Sequence, residues 1–133
     1  MQNPFGIEHL DLSSCCISAK GCIYLGKILG ENSSLKTLKL DFNKIGDSGM
    51  AHLNNGLKWN STLQELSMQY CGITAEGASY LSYVIKSTNV KELSLRGNPL
   101  GDEGAVLVGR ALMVGTSIES IDLADTGFGE KAE

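Results

Sequence analysis

Proline is scarce in this sequence, at 2 of 133 residues, while glycine reaches 16. The glycines are therefore expected at fixed backbone positions rather than in a loose linker. Positive charge is also short, with 11 basic residues against 15 acidic ones and a formal charge of −4. That balance argues against an unassisted hold on phosphate backbones, so no nucleic-acid partner is expected. Long hydrophobic runs are missing as well. The most apolar stretch, Ala105 to Val114, is interrupted by Arg110 and falls well below the ~20 residues that a bilayer requires. No stretch reads as a signal peptide, and no membrane association is expected. Histidine occurs only at His9 and His52, and the four cysteines contain no C-x-x-C pair. The 42% hydrophobic content is ordinary for a globular protein, and the length suits one domain.

What the sequence does have is a repeat. The run Ile7-x-x-Leu10-x-Leu12 returns as Leu35-x-x-Leu38-x-Leu40 and Leu63-x-x-Leu66-x-Met68, then as Val90-x-x-Leu93-x-Leu95 and Ile118-x-x-Ile121-x-Leu123. The steps are 28, 28, 27 and 28 residues, the short one being a deletion between Ile85 and Val90. Three residues past each run comes Cys15, Asn43, Cys71, Asn98 or Thr126, and two further on Ile17, Ile45, Ile73, Leu100 or Phe128. A glycine follows at Gly21, Gly49, Gly77 and Gly104. Next come the apolar pairs Leu25/Leu29, Leu53/Leu57, Leu81/Ile85 and Val108/Leu112.

Alternating apolar residues describe a short strand with one buried face, and apolar residues four apart describe a helix with one buried stripe. Ser18, Asp47, Thr74 and Asp102 stand where a helix cap or an N-terminal acid is favoured. One strand and one helix cannot seal a core, so the units must stack into a parallel sheet backed by helices. The expected architecture is an α/β right-handed solenoid, with the sheet on its concave side and helices on its convex side. Its repeats span about 7–34, 35–62, 63–89 and 90–117, followed by a partial fifth unit, 118–133, all within one domain.

The pattern resembles the ribonuclease-inhibitor type of leucine-rich repeat over about residues 7–128. The specific feature is alternation: Cys15 and Cys71 lie in Leu-Ser-Ser-Cys-Cys-Ile and Met-Gln-Tyr-Cys-Gly-Ile, whereas Asn43 and Asn98 lie in Asn-Lys-Ile-Gly-Asp and Asn-Pro-Leu-Gly-Asp. Paired Cys-type and Asn-type repeats resemble ribonuclease inhibitors and the sensing ends of NOD-like receptors. Related repeats occur in Ran GTPase-activating proteins and tropomodulins. The resemblance implies a curved solenoid that grips proteins and needs no cofactor. The sequence departs from those families in having few repeats and no recognisable cap, with Ala132 where the next helix-start glycine is due. A piece of a longer protein is expected; the alternatives are ends sealed by self-association and an unusual terminal packing.

Chemistry-bearing residues are sparse. Cys15 and Cys71 stand two repeats apart, ~9.5 Å at the usual strand spacing, beyond the ~7 Å limit for a disulfide. No metal ligand set is visible, and structural thiols in a reducing compartment, cytoplasmic or nuclear, are expected. His9 and His52 lie apart with no nucleophile beside either, so no catalytic residue is proposed and no enzyme is expected. Gly101-Asp-Glu-Gly104 lacks the Lys-Ser/Thr of a phosphate loop. Asn32-Ser-Ser and Asn60-Ser-Thr match a glycosylation acceptor, but both fall in a helix-to-strand turn that favours Asn and Ser.

The surface expected to matter is the outward face of the strands, meeting a protein partner of unknown identity. Alternation turns His9, Asp11 and Ser13 outward, then Thr37, Lys39 and Asp41, Glu65, Ser67 and Gln69, Glu92, Ser94 and Arg96, and Ser120, Asp122 and Ala124. Asp11 beside Lys39 is a favourable neighbour, and Glu65 beside Glu92 an unfavourable one; the two readings of that pair are a site awaiting a basic partner and an exposed pair of little cost and no function. Phe42 and Tyr70 stand at neighbouring strand exits, flanked by Ser14 and Gly97. The partner-binding candidates are Asp11, Lys39, Asp41, Phe42, Glu65, Gln69, Tyr70, Glu92, Arg96 and Asp122, with Phe42, Tyr70 and Arg96 as the sharpest. The competing expectation for Phe42 is that it tucks into its own turn. Trp59 and Tyr83 are expected on the helix side, as packing or rim. Beyond a binding module, the resemblance leaves open a Ran-type GTPase activator, an actin-capping-like cytoskeletal protein and an innate-receptor sensing domain.

Overall fold

The computed structural model describes residues 6–31 and 34–127. Its strands are β1 (His9–Asp11), β2 (Thr37–Lys39), β3 (Glu65–Ser67), β4 (Glu92–Ser94) and β5 (Ser120–Asp122). Between them run α1 (Ala19–Glu31), α2 (Gly46–Leu57), α3 (Ala75–Ser87) and α4 (Gly101–Val114). The strands form one parallel sheet in chain order, and each pairs with the next at the repeat period: Leu10 with Leu38, Leu38 with Leu66, Leu66 with Leu93, and Leu93 with Ile121. This is the α/β solenoid that the repeat requires.

The core is a spine of equivalent residues. Leu38, Leu66 and Leu93 from the strands, with Leu40, Met68 and Leu95 just after them, meet Leu29, Leu53, Leu57, Leu81, Ile85 and Val108 from the helices, all buried. Each such side chain contributes about 1.5–3 kcal/mol when fully withdrawn from water. The same positions in the outer units, Leu10, Leu12, Ile118, Ile121 and Leu123, are only partly buried. Burial thus comes from the neighbouring repeat, which the one-dimensional stack demands.

Backbone left unpaired where the chain leaves each strand is satisfied by the ladder asparagines. Asn43 Oδ1 accepts from the Cys15 and Ile17 backbone N–H groups at 3.0 and 2.9 Å, and its Nδ2 donates to the Leu12 and Leu40 carbonyls at 3.0 and 2.9 Å. Asn98 repeats the set on Cys71, Ile73, Met68 and Leu95. In the alternate unit the Cys71 thiol donates back to the Leu40 carbonyl at 3.1 Å. Asn60 is buried in a turn, donating to the Leu29 carbonyl at 2.9 Å and accepting from Thr62 and Leu63 N–H groups. The turn reading of Asn60-Ser-Thr holds.

Three of the four helix entrances follow the expected chemistry, at Asp47, Thr74 and Asp102. Thr74 caps α3, accepting from the Glu76 N–H, and also donates its hydroxyl to Asp47 at 2.6 Å. Asp47 sits in the first turn of α2, and Asp102 and Glu103 sit in that of α4. On the helix layer, α1 and α2 touch through their backbones: a Cβ on Gly56 would strike the Gly26 carbonyl, so only glycine fits this seam. The expectations for Phe128, for Ala132 and a fifth helix, for the chain before Gly6 and for Asn32-Ser-Ser lie outside the described residues.

Removing one ladder amide takes a partner from four backbone groups at once; around Asn98 only the Leu95 carbonyl keeps another, the Asn98 N–H. Asn98→Ala should lower unfolding free energy by about 3 kcal/mol or more in urea titrations, against under about 0.5 kcal/mol for the exposed Asn55→Ala. A loss below about 1 kcal/mol for Asn98→Ala would show that the ladder does not hold the turns.

Candidate functional site

The open face of the sheet carries the side chains opposite the spine. Asp11 lies beside Lys39, and Glu65 beside Glu92, as direct cross-strand pairs. None of Lys39, Gln69 or Arg96 is buried. Over the fifteen outward positions of the five strands there are five acids and two bases, and Arg96 is held by Asp122 at 3.1 Å. The face therefore presents unbalanced negative charge. Asp122 is held below the usual carboxylate range, first by the Ala124 N–H and then by Arg96. Asp11 is lowered likewise by the side chain and backbone of Ser13, with Lys39 adding less.

Two of these positions are less free than strand alternation predicts. Asp41 accepts from the Ser67 hydroxyl at 2.7 Å and from the Gln69 N–H at 2.8 Å, so its carboxylate bridges β2 to β3. Ser67, expected on the open face, is 7% exposed beneath that bridge. Gln69 in turn donates to the Ser94 hydroxyl at 2.8 Å. Asp41 and Gln69 thus brace the face, while Glu65, Glu92 and the Arg96–Asp122 pair present their side chains on it.

At the strand exits a second column forms. Ser14, Phe42, Tyr70, Gly97 and Asp125 all take left-handed backbone, with φ of 56, 60, 55, 78 and 56°. For the four that are not glycine this costs about 1 kcal/mol each. The conformation turns each side chain out of its own loop. The Phe42 and Tyr70 rings consequently stack, with centroids 5.1 Å apart and planes within 6°. Phe42 is 58% and Tyr70 41% exposed, so Phe42 does not tuck into its turn. Tyr70 lies against Gly97, where any Cβ would enter its ring, and its hydroxyl meets Asp125 at 3.3 Å. Asp125 was not among the sequence candidates. Its register with Ser14, Phe42, Tyr70 and Gly97 is the signal that would have found it.

The remaining candidates are plain. His9 is exposed and shares a 2.9 Å hydrogen bond with Thr37, and His52 lies on the helix layer. Cys15 and Cys16 are exposed, whereas Cys22 and Cys71 are buried, and all four are free. Burial pushes the Cys22 and Cys71 thiols up to about 11. Among the described residues no group of His, Cys, Asp and Glu is placed to hold a metal ion, and no helix is long and apolar enough to cross a membrane. Trp59, on the rim of a groove between α1 and α2, is 78% exposed, and Tyr83 carries Lys58 at 5.9 Å.

A parallel sheet built at a period of about 28 residues and tied by alternating Cys and Asn ladders defines a solenoid of the leucine-rich repeat class. The Leucine Rich repeat family model matches residues 7–26, 31–53, 60–82 and 86–109, and the chain belongs to that family, in its ribonuclease-inhibitor type. It is 40% identical to the ribonuclease inhibitor of Mus musculus over 118 residues, covering 86% of the chain and 26% of that protein. With the ribonuclease inhibitor of Sus scrofa the identity is 34% over 130 residues, covering 96% and 28%. NACHT, LRR and PYD domains-containing protein 3 of Homo sapiens is 37% identical over 109 residues, covering 80% of the chain and 10% of that protein. The chain thus spans about a quarter of the inhibitors' length and a tenth of that of the NACHT, LRR and PYD domains-containing protein. A solved structure, Leiomodin-1 Actin-Binding Site 2 (ABS2), superposes with a TM-score of 0.79 at 18% identity, over 86% of this chain and 69% of that one, and shares the fold. The family match and the ribonuclease-inhibitor likeness fit a protein-interaction module.

The thiols divide by burial, which is directly measurable. A thiol reagent should label Cys15 and Cys16 in the native protein, and Cys22 and Cys71 only after unfolding. A thiol raised on folding favours the native state fully below its unfolded value of 9.0, and that advantage fades as pH rises toward 11. Denaturation midpoints should therefore fall between pH 9 and 11, less steeply in Cys71→Ala. Equal native labelling of all four thiols would contradict the burial.

Proposed function

We propose that this chain is a protein-binding module that engages its partner through the open, concave face of the sheet and the aromatic column at its edge. The observation that carries the reading is the Phe42–Tyr70 stack: two large aromatic rings, 58% and 41% exposed, held by strained backbone beside an acidic face. Strain of this kind persists where the surroundings over-determine it, and rigid aromatic side chains bind with little entropic loss. Arg96, Glu65 and Glu92 supply the polar surroundings, and the excess acid favours a basic partner surface. The four free thiols fit a reducing compartment, which is the basis for proposing a cytoplasmic or nuclear site of action. The whole protein's partner is a proposal on the same footing.

A partner captured from the source lysate provides the test. Tyr70→Ala with Arg96→Ala should weaken binding about 30-fold or more while circular dichroism stays unchanged. Unchanged affinity with an intact fold would remove the sheet-face reading.

A further inference from the structure

The aromatic column is finished on one side and open on the other. Tyr70 is backed by Gly97 and tethered to Asp125, and Phe42 covers its other face. Among the described residues Phe42 has no such cover on its far face and is 58% exposed. Beyond it the next residue of the column is Ser14, whose backbone has the same left-handed turn at φ 56° but whose side chain is a small hydroxymethyl, itself exposed. Successive repeats stand ~4.8 Å apart, close to the 5.1 Å between the two rings, so the place above Ser14 is one stacking step from Phe42. The column thus offers a planar slot with an aromatic wall and a small residue at its base.

The charge around the slot selects its occupant. On the adjoining sheet face the acids outnumber the bases by five to two, and Arg96 is already paired with Asp122. Asp11 carries its charge on the first strand, three residues before Ser14, with Lys39 as its cross-strand neighbour. A flat group with positive charge meets both conditions. Guanidinium is planar, weakly hydrated and inclined to stack on aromatic faces, whereas an ammonium is a compact, strongly hydrated point charge.

We infer that Phe42 and Ser14 form a stacking slot for an arginine side chain of the partner protein. The slot rests on the sheet-face reading and gives the partner's basic surface a specific anchor. The rings are already ordered, so little side-chain freedom is lost when the guanidinium enters.

The test is a nuclear magnetic resonance titration of the intact chain, observing the Phe42 ring, with acetyl-Gly-Arg-Gly-amide and its lysyl and phenylalanyl counterparts. The arginyl peptide should move the Phe42 ring signals saturably, with a dissociation constant at least fivefold below that of either counterpart. Ser14→Phe places a third ring in the slot, a conformation that Phe42 and Tyr70 already tolerate, and should abolish the peptide-induced Phe42 shifts. Phe42→Leu should weaken arginyl-peptide binding at least fivefold, read on neighbouring signals. Equal binding of the lysyl peptide, equal binding of the phenylalanyl peptide, or unchanged Phe42 shifts in Ser14→Phe would each overturn the assignment. Peptide shifts confined to Glu65 and Glu92 would sink the slot while leaving the sheet-face reading in place. That reading fails separately, through retained partner binding in the Tyr70/Arg96 double variant.

Discussion

The interaction on which the rest depends is the hydrogen bonding of one repeat's turn by the next repeat's asparagine. Each strand is only three residues long, too short to hold its own exit in place. Asn43 and Asn98 each reach across to two N–H groups and one carbonyl of the preceding repeat and bond one carbonyl of their own, and so convert a series of loops into a register. Buried backbone without a partner would cost about 1–3 kcal/mol per group, so the ladder is a condition for stacking at all. Cysteine in the alternate unit works because its neighbours' amides already serve that turn; it needs only to fill space and donate weakly.

That register has a consequence at the strand exits. The residue just before the ladder position takes the same left-handed backbone in all five units, and in the first four its N–H donates to a carbonyl of the next repeat. Its side chain is expelled from the loop each time. What the column displays is then decided residue by residue: hydroxymethyl, phenyl, phenol, hydrogen, carboxylate. The frame supplies spacing close to a ring-stacking distance, and the side chains supply the chemistry. The same logic governs the sheet face, where Asp41 is drawn into bracing Ser67 and Gln69 while Glu65 and Glu92 stand side by side without a mutual partner. Fold and specificity are separable in this architecture.

Much of this was legible in the order of residues. The period of apolar positions determined the units, the parallel register and the identity of the spine, because a period of two and a spacing of four each describe one buried face. The same register placed Lys39, Glu65, Glu92 and Arg96 outward and Phe42 beside Tyr70. It could also have named Asp125, which shares the column. Tertiary structure alone decided whether Phe42 turned outward, since backbone φ at a tied turn is a property of the neighbouring repeat's hydrogen bonds and not of the phenylalanine. It alone decided that Asp41 closes over Ser67, because a carboxylate chooses among donors only when the next strand brings them within 3 Å. Periodicity reports which side of an element faces water; which group a side chain then touches depends on atoms 25 to 30 residues away, and these are brought near only by the stack.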